Sequence, residues 1–184
     1  GLELGGWGNM IIGSTHGSLI NLLHVDTFYQ KDKWMVGNAD GVHLRGNEIG
    51  PWIEGTHIQG NGDDGIALYA RPASMTSAKP GGETNAAVFR EDHFNLEPGD
   101  EVAFFEPLIG TVLLETRVTS VVAQADNEYR VHFEDDLPDG MHFSGDLVDI
   151  TQVWNRSKSC GDFMIRNGKM TNSRRYAIVQ RARR

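Results

Sequence analysis

Short aliphatic pieces of three to five residues, parted by glycine and asparagine, recur along three stretches of this chain: Met10 to Leu23, Val36 to Leu68 and Phe163 to Val179. Pieces this short suit strands, and the 3.6-residue stripes of amphipathic helices are missing. Within the second stretch Asp40-Gly41-Val42-His43-Leu44 returns 24 residues later as Asp64-Gly65-Ile66-Ala67-Leu68. The third stretch lies over the second at a constant offset of 112, matching Ile53, Ile58 and Ile66 to Ile165, Met170 and Ile178. A repeat of 20-odd residues made of short strands predicts a solenoid, with equivalent residues stacked at the ~4.8 Å spacing of paired strands. The expected fold is all-β, a right-handed parallel β-helix.

The shared offset also implies that about 85 residues interrupt the repeat. The interruption runs roughly from Arg71 to Gln152, giving β-helix coils over 1–70, an insertion over 71–152 and the β-helix resumed over 153–184. Its first part, ARPASMTSAKPGGETNAAV, is rich in turn formers and reads as an exposed loop. Strand signals follow at Glu101 to Phe105, Thr111 to Val122 and Tyr129 to Phe133, divided by Glu97-Pro98-Gly99-Asp100, Pro107, Asp126-Asn127 and Leu137-Pro138-Asp139-Gly140. These predict a small antiparallel β-barrel of four to six strands. Because the chain opens and closes inside repeating units, a fragment of a longer chain is expected.

Composition narrows the function. With 39% hydrophobic residues and no apolar run near 20, nothing in the sequence reads as a membrane span. The net charge of -8 is uneven, since Trp154 to Arg184 holds nine Lys/Arg against Asp162 alone. A basic tail can signal nucleic acid, but FMIRNGKMTNSRRYAIV interleaves its cations with aliphatics and reads as strand, turn and strand, so no nucleic-acid partner is expected. The single Cys160 fits no metal motif, and His16, His24 and His57 lack metal-ligand spacing, so neither cofactor nor metal is implied.

The repeated acids carry the chemistry. One period apart, Asp40 and Asp64 should stack, with Asp63 beside them, bringing three carboxylates into one patch. Like charges so close oppose one another's ionisation, which costs stability and serves acid–base work: one carboxylic acid protonates a departing oxygen while a carboxylate activates water. Strict alternation, with Val42, Leu44, Ile66 and Leu68 facing the core, would turn Asp40 and Asp64 inward too. The expectation therefore requires Gly41 and Gly65 to break the pleat and swing both acids outward at a bulge or turn.

The phrase Asn38-Ala39-Asp40-Gly41, followed by Gly62-Asp63-Asp64-Gly65, is similar to the NTDG and GDDC motifs of the polygalacturonases, which are inverting parallel β-helix hydrolases. It more closely resembles the α-1,3-galactosidase family, whose β-helix carries ADG and DD motifs at this separation, a barrel interrupting the solenoid, and a later coil like Phe163-Met164-Ile165-Arg166-Asn167. The resemblance implies an inverting glycoside hydrolase, secreted or periplasmic, acting on an oligosaccharide or polysaccharide. It implies Asp63 as general acid, with Asp40 and Asp64 holding and deprotonating water. The Gly-His-Gly and Arg-x-Lys of polygalacturonases do not occur in the expected places, which counts against a uronic-acid polymer.

At the offset of 112, Arg174 and Arg175 fall over Gly62 and Asp63, so one of them should reach the acids and either hold sugar or neutralise charge. An arginine bonded directly to Asp63 would favour that group's ionised form and weaken it as a proton donor. His43, Trp52 and Tyr69 complete the candidate sugar-binding residues. Two other readings stand beside the hydrolase: a non-catalytic β-helix that binds glycans, such as a tailspike-like surface protein, and a polysaccharide lyase whose acids hold Ca²⁺.

Overall fold

The computed structural model describes residues 11–13, 18–21, 24–25, 35, 37, 39–92, 94–125, 127–143 and 149–181. Asn38 of the Asn-Ala-Asp-Gly phrase, Asp126 and parts of the first repeat lie outside these residues. The chain divides into two compact units, one spanning Arg71–Ser157 and the other made by the described residues up to Ala70 and from Lys158 on. Both are all-β.

In chain order the strands are β1 (Ile11–Gly13), β2 (Leu19–Asn21), β3 (His24–Val25), β4 (Val42–Arg45), β5 (Trp52–Glu54), β6 (His57–Gln59) and β7 (Ile66–Tyr69). Then come β8 (Ala73–Ala78), β9 (Ala86–Arg90), β10 (Glu101–Glu106), β11 (Thr111–Ala125), β12 (Glu128–Phe133) and β13 (Gln152–Asn155). The last are β14 (Met164–Arg166), β15 (Lys169–Thr171) and β16 (Ile178–Arg181). In the unit made by the described residues up to Ala70 and from Lys158 on, they form three parallel sheets, ordered β1-β4-β7-β16, β14-β5-β2 and β15-β6-β3.

Register follows the sequence repeats. Val42 pairs with Ile66 across 24 residues, while Ile53, Ile58 and Ile66 pair with Ile165, Met170 and Ile178 across 112. Stacking like side chains in this way builds the unit's core from Ile20, Val42, Leu44, Ile53, Ile58, Ile66, Leu68 and Cys160. Each aliphatic side chain removed fully from water contributes about 1.5–3 kcal/mol, so this register is strongly preferred over a one-residue slip that would turn every one of them outward.

The second unit is a closed antiparallel barrel in the order β10-β11-β12-β9-β8-β13. Phe89, Phe104 and Phe133 fill it, the last two packed edge to face at 5.1 Å between ring centroids. The exposed loop expected over residues 70–88 is instead two of the six strands, β8 and β9, joined through a 3₁₀ turn at Pro80–Gly82. Ala73 and Met75 alternate inward along β8, and Ala86, Ala87, Val88 and Phe89 are buried along β9, so both segments gain from pairing what their turn-rich composition conceals. Strand β13 begins at Gln152 and pairs with both β8 and β10, so the barrel unit runs past the expected boundary at 152 to Ser157.

No helix among the described residues is long and apolar enough to cross a membrane, which says nothing of β-barrel membrane proteins.

Candidate active site

Asp40 and Asp64 stand just before β4 and β7, and they meet because the backbone on either side of them is bonded in register. The Gly41 N–H donates to the Asp64 carbonyl at 2.9 Å, and the Gly65 N–H to the Tyr176 carbonyl at 2.8 Å. These glycines do not work as expected. Neither has a left-handed φ; both are needed because neighbouring chain comes too close for a Cβ. A Cβ on Gly41 would lie 2.5 Å from Asn61 Nδ2 and 2.6 Å from Ile58 Cγ2, and one on Gly65 would collide with the Ala177 carbonyl oxygen.

One carboxylate oxygen from each of Asp40, Asp63 and Asp64 lies within 4.8 Å of the others. The three surroundings differ. Asp64 is 1% exposed, with Oδ1 accepting from the Tyr176 N–H at 3.1 Å and Oδ2 from the Tyr69 hydroxyl at 3.4 Å. Asp40 is 8% exposed, its Oδ1 accepting from the Asp64 N–H at 3.1 Å and its Oδ2 lying 2.6 Å from His43 Nδ1. Both acids are thus enclosed rather than swung out to solvent. Asp63 keeps 34% of its side chain exposed and accepts at Oδ1 from Arg175 Nη1 at 3.0 Å. That hydrogen bond, with the charges of Asp63 and Asp64 behind it, pushes the Arg175 guanidinium above its ordinary pKa.

His43 and Tyr69 buttress the acids from one side. Their rings stack at 5.0 Å and 19°, while their polar ends reach Asp40 and Asp64. Of the two arginines, Arg175 joins the cluster; Arg174 has an exposed side chain, and its backbone N–H donates to the Asn61 carbonyl at 3.1 Å. Trp52 is not brought to the acids. It lies on β5, in the β14-β5-β2 sheet, with the Arg166 guanidinium 5.0 Å above its ring and Arg166 bonded to Glu54 at 2.8 Å. The Arg166 hydrogen bond, against a small opposing effect of burial, holds Glu54 below the ordinary carboxylate pKa.

Tyr176 is the site residue that sequence reasoning missed. The signal was available, because the offset of 112 that lays Arg175 over Asp63 lays Tyr176 over Asp64. No protein-family model matches the chain, and no curated protein matches it either.

Proposed function

We propose that the protein is an inverting glycoside hydrolase acting on an α-galactoside-like or related glycan, built on a right-handed parallel β-helix. The β-helix reading rests on the order in which the chain visits its sheets. β1, β2 and β3 start three parallel sheets, β4, β5 and β6 extend them in the same order, and after β7 and the barrel β14, β15 and β16 extend them again. A chain that returns to each sheet in the same order, always parallel, is winding in coils.

The observation that carries the enzymatic reading is the meeting of three carboxylates in unlike surroundings. Differently placed carboxyl groups divide acid and base roles between them. Asp63, the most accessible, is the proton donor to the glycosidic oxygen. As that carbon–oxygen bond breaks, a water held by Asp40 and Asp64 gives up a proton to one of these carboxylates and its oxygen bonds the anomeric carbon from the opposite face. The Arg175 bond opposes this role while it lasts, so the substrate must draw Arg175 off Asp63, a sugar hydroxyl taking the guanidinium's hydrogen bond. A secreted or periplasmic location accords with a glycan substrate.

The spacing favours a second reading as well. Nearest oxygens within 4.8 Å fall short of the ~6.5–9.5 Å between carboxyl groups of inverting enzymes. They suit one Ca²⁺, whose oxygen ligands lie at ~2.3–2.6 Å, as in a Ca²⁺-dependent polysaccharide lyase with arginine as base. Against it, Arg175 already sets a positive charge on Asp63. Proton NMR of two digests, one of an α-galactoside for the hydrolase and one of a uronic-acid polysaccharide for the lyase, separates these readings. The hydrolase gives the β-anomer of free galactose first; an unsaturated product, together with Ca²⁺ heat in calorimetry, would establish the lyase. Glycan binding without turnover would leave a non-catalytic β-helix.

A further inference from the structure

Three aromatic residues stand as candidates to receive a sugar ring, and their surroundings separate them. Trp52 stands on β5, in the β14-β5-β2 sheet, whereas the acids precede β4 and β7 of the β1-β4-β7-β16 sheet. Tyr69 is close to the acids but committed, with its ring against His43 and its hydroxyl on Asp64. Tyr176 has its backbone N–H fixed on Asp64 Oδ1 at 3.1 Å, while its side chain is 56% exposed. Exposure continues through Ala177 and Ile178, making an apolar strip beside the carboxylates.

We propose that Tyr176 is the platform on which a neutral pyranose packs its C–H face as it enters the acid cluster, with Arg175 donating to sugar hydroxyls at the platform's edge. A pyranose ring has an apolar face of C–H bonds and a polar rim of hydroxyls, so it is best held by an exposed aromatic face flanked by fixed donors and acceptors. Tyr176 supplies the face. Arg175, its guanidinium over one face of the Tyr176 ring at 5.8 Å from the centroid and bonded to Asp63, leaves the opposite face to the sugar and supplies planar donors at the rim. Asp40 and Asp64 favour a neutral ring, because they are enclosed and cannot move away from a sugar carboxylate. This inference rests on the glycan reading of the acid cluster and adds which side chain selects the ring.

The test compares wild type, Tyr176→Ala and Tyr176→Phe in hydrolysis of p-nitrophenyl α-galactoside, and measures binding of methyl α-galactoside to the same changes in an Asp63→Asn background. The bond from residue 176 to Asp64 is made by backbone and survives both substitutions, so melting temperatures should agree. Tyr176→Ala should raise KM and the dissociation constant about tenfold with kcat within about threefold, and Tyr176→Phe, which keeps the ring, should stay within about twofold of wild type. Turnover with an unchanged KM in Tyr176→Ala overturns the platform and leaves the hydrolase standing. Binding that depends on the ring, without any turnover, sustains the platform and removes the hydrolase. No binding by any variant removes both.

Discussion

Replacing Gly65 by alanine tests whether the site is assembled by close approach of backbones. The added Cβ would sit about 1 Å inside ordinary contact with the Ala177 carbonyl oxygen, and Ser173 Oγ, at 3.2 Å, blocks retreat on one side. That carbonyl accepts the Ile66 N–H at 2.9 Å, and the Gly65 N–H bonds the Tyr176 carbonyl at 2.8 Å, so parting the chains weakens both. Overpacking costs about 1–3 kcal/mol and two weakened backbone bonds about 1 kcal/mol each, for a total of about 3–5 kcal/mol. The assay is native-state hydrogen exchange of the Ile66–Tyr69 amides, which should speed up by roughly 150- to 5,000-fold. Gly168→Ala is the control, since its Cβ would meet nothing nearer than the Thr56 carbonyl at 3.3 Å. It should cost under about 1 kcal/mol. Exchange in Gly65→Ala within about twofold of wild type would refute the close-approach argument.

Phe104→Ala, which empties a fully buried position in the barrel core, should destabilise that unit by about 3–5 kcal/mol in urea unfolding. Glu106 is 2% exposed; burial pushes its pKa up, but hydrogen bonds from Thr151 at 2.6 Å and from His142 and the Leu108 N–H more than offset it, leaving the group below its ordinary 4.5. A carboxylate held low in the fold stabilises fully above the unfolded value and loses that contribution as pH falls through the lower folded one. The barrel's melting temperature should therefore drop on acidification below about 4.5, with a smaller slope in Glu106→Gln. Cys160 is fully buried, and burial pushes its thiol above the ordinary value against a weak opposing bond from the Asn47 N–H. Thiol reagents should leave it unmodified in the native protein and label it in denaturant.

The parallel sheets were legible because pairing strands put like residues in register, so the intervals of 24 and 112 survived an insertion of about 85 residues. The same intervals located the acids, Arg175 and, carried one residue further, Tyr176. Strands β8 and β9 were hidden because half of their buried positions are alanine, which strands disfavour, between serines, threonines, a proline and glycines that favour turns. The glycines illustrate a different limit. Sequence marks where a side chain is forbidden, and only coordinates distinguish a backbone turned left-handed from one pressed against its neighbour. For Trp52 the period-2 alternation with Ile53 inward gave an outward side chain, but only the strand pairing shows that it stands on a different sheet from the strands that follow the acids.

The central claim is that Asp63 delivers the proton. Hydrolysis of an α-galactoside by Asp63→Asn measures it most directly, with folding verified by an unchanged melting curve. A positioned general acid is worth about 10²–10⁴-fold, so turnover should fall by that factor; turnover within about twofold of wild type would contradict the assignment.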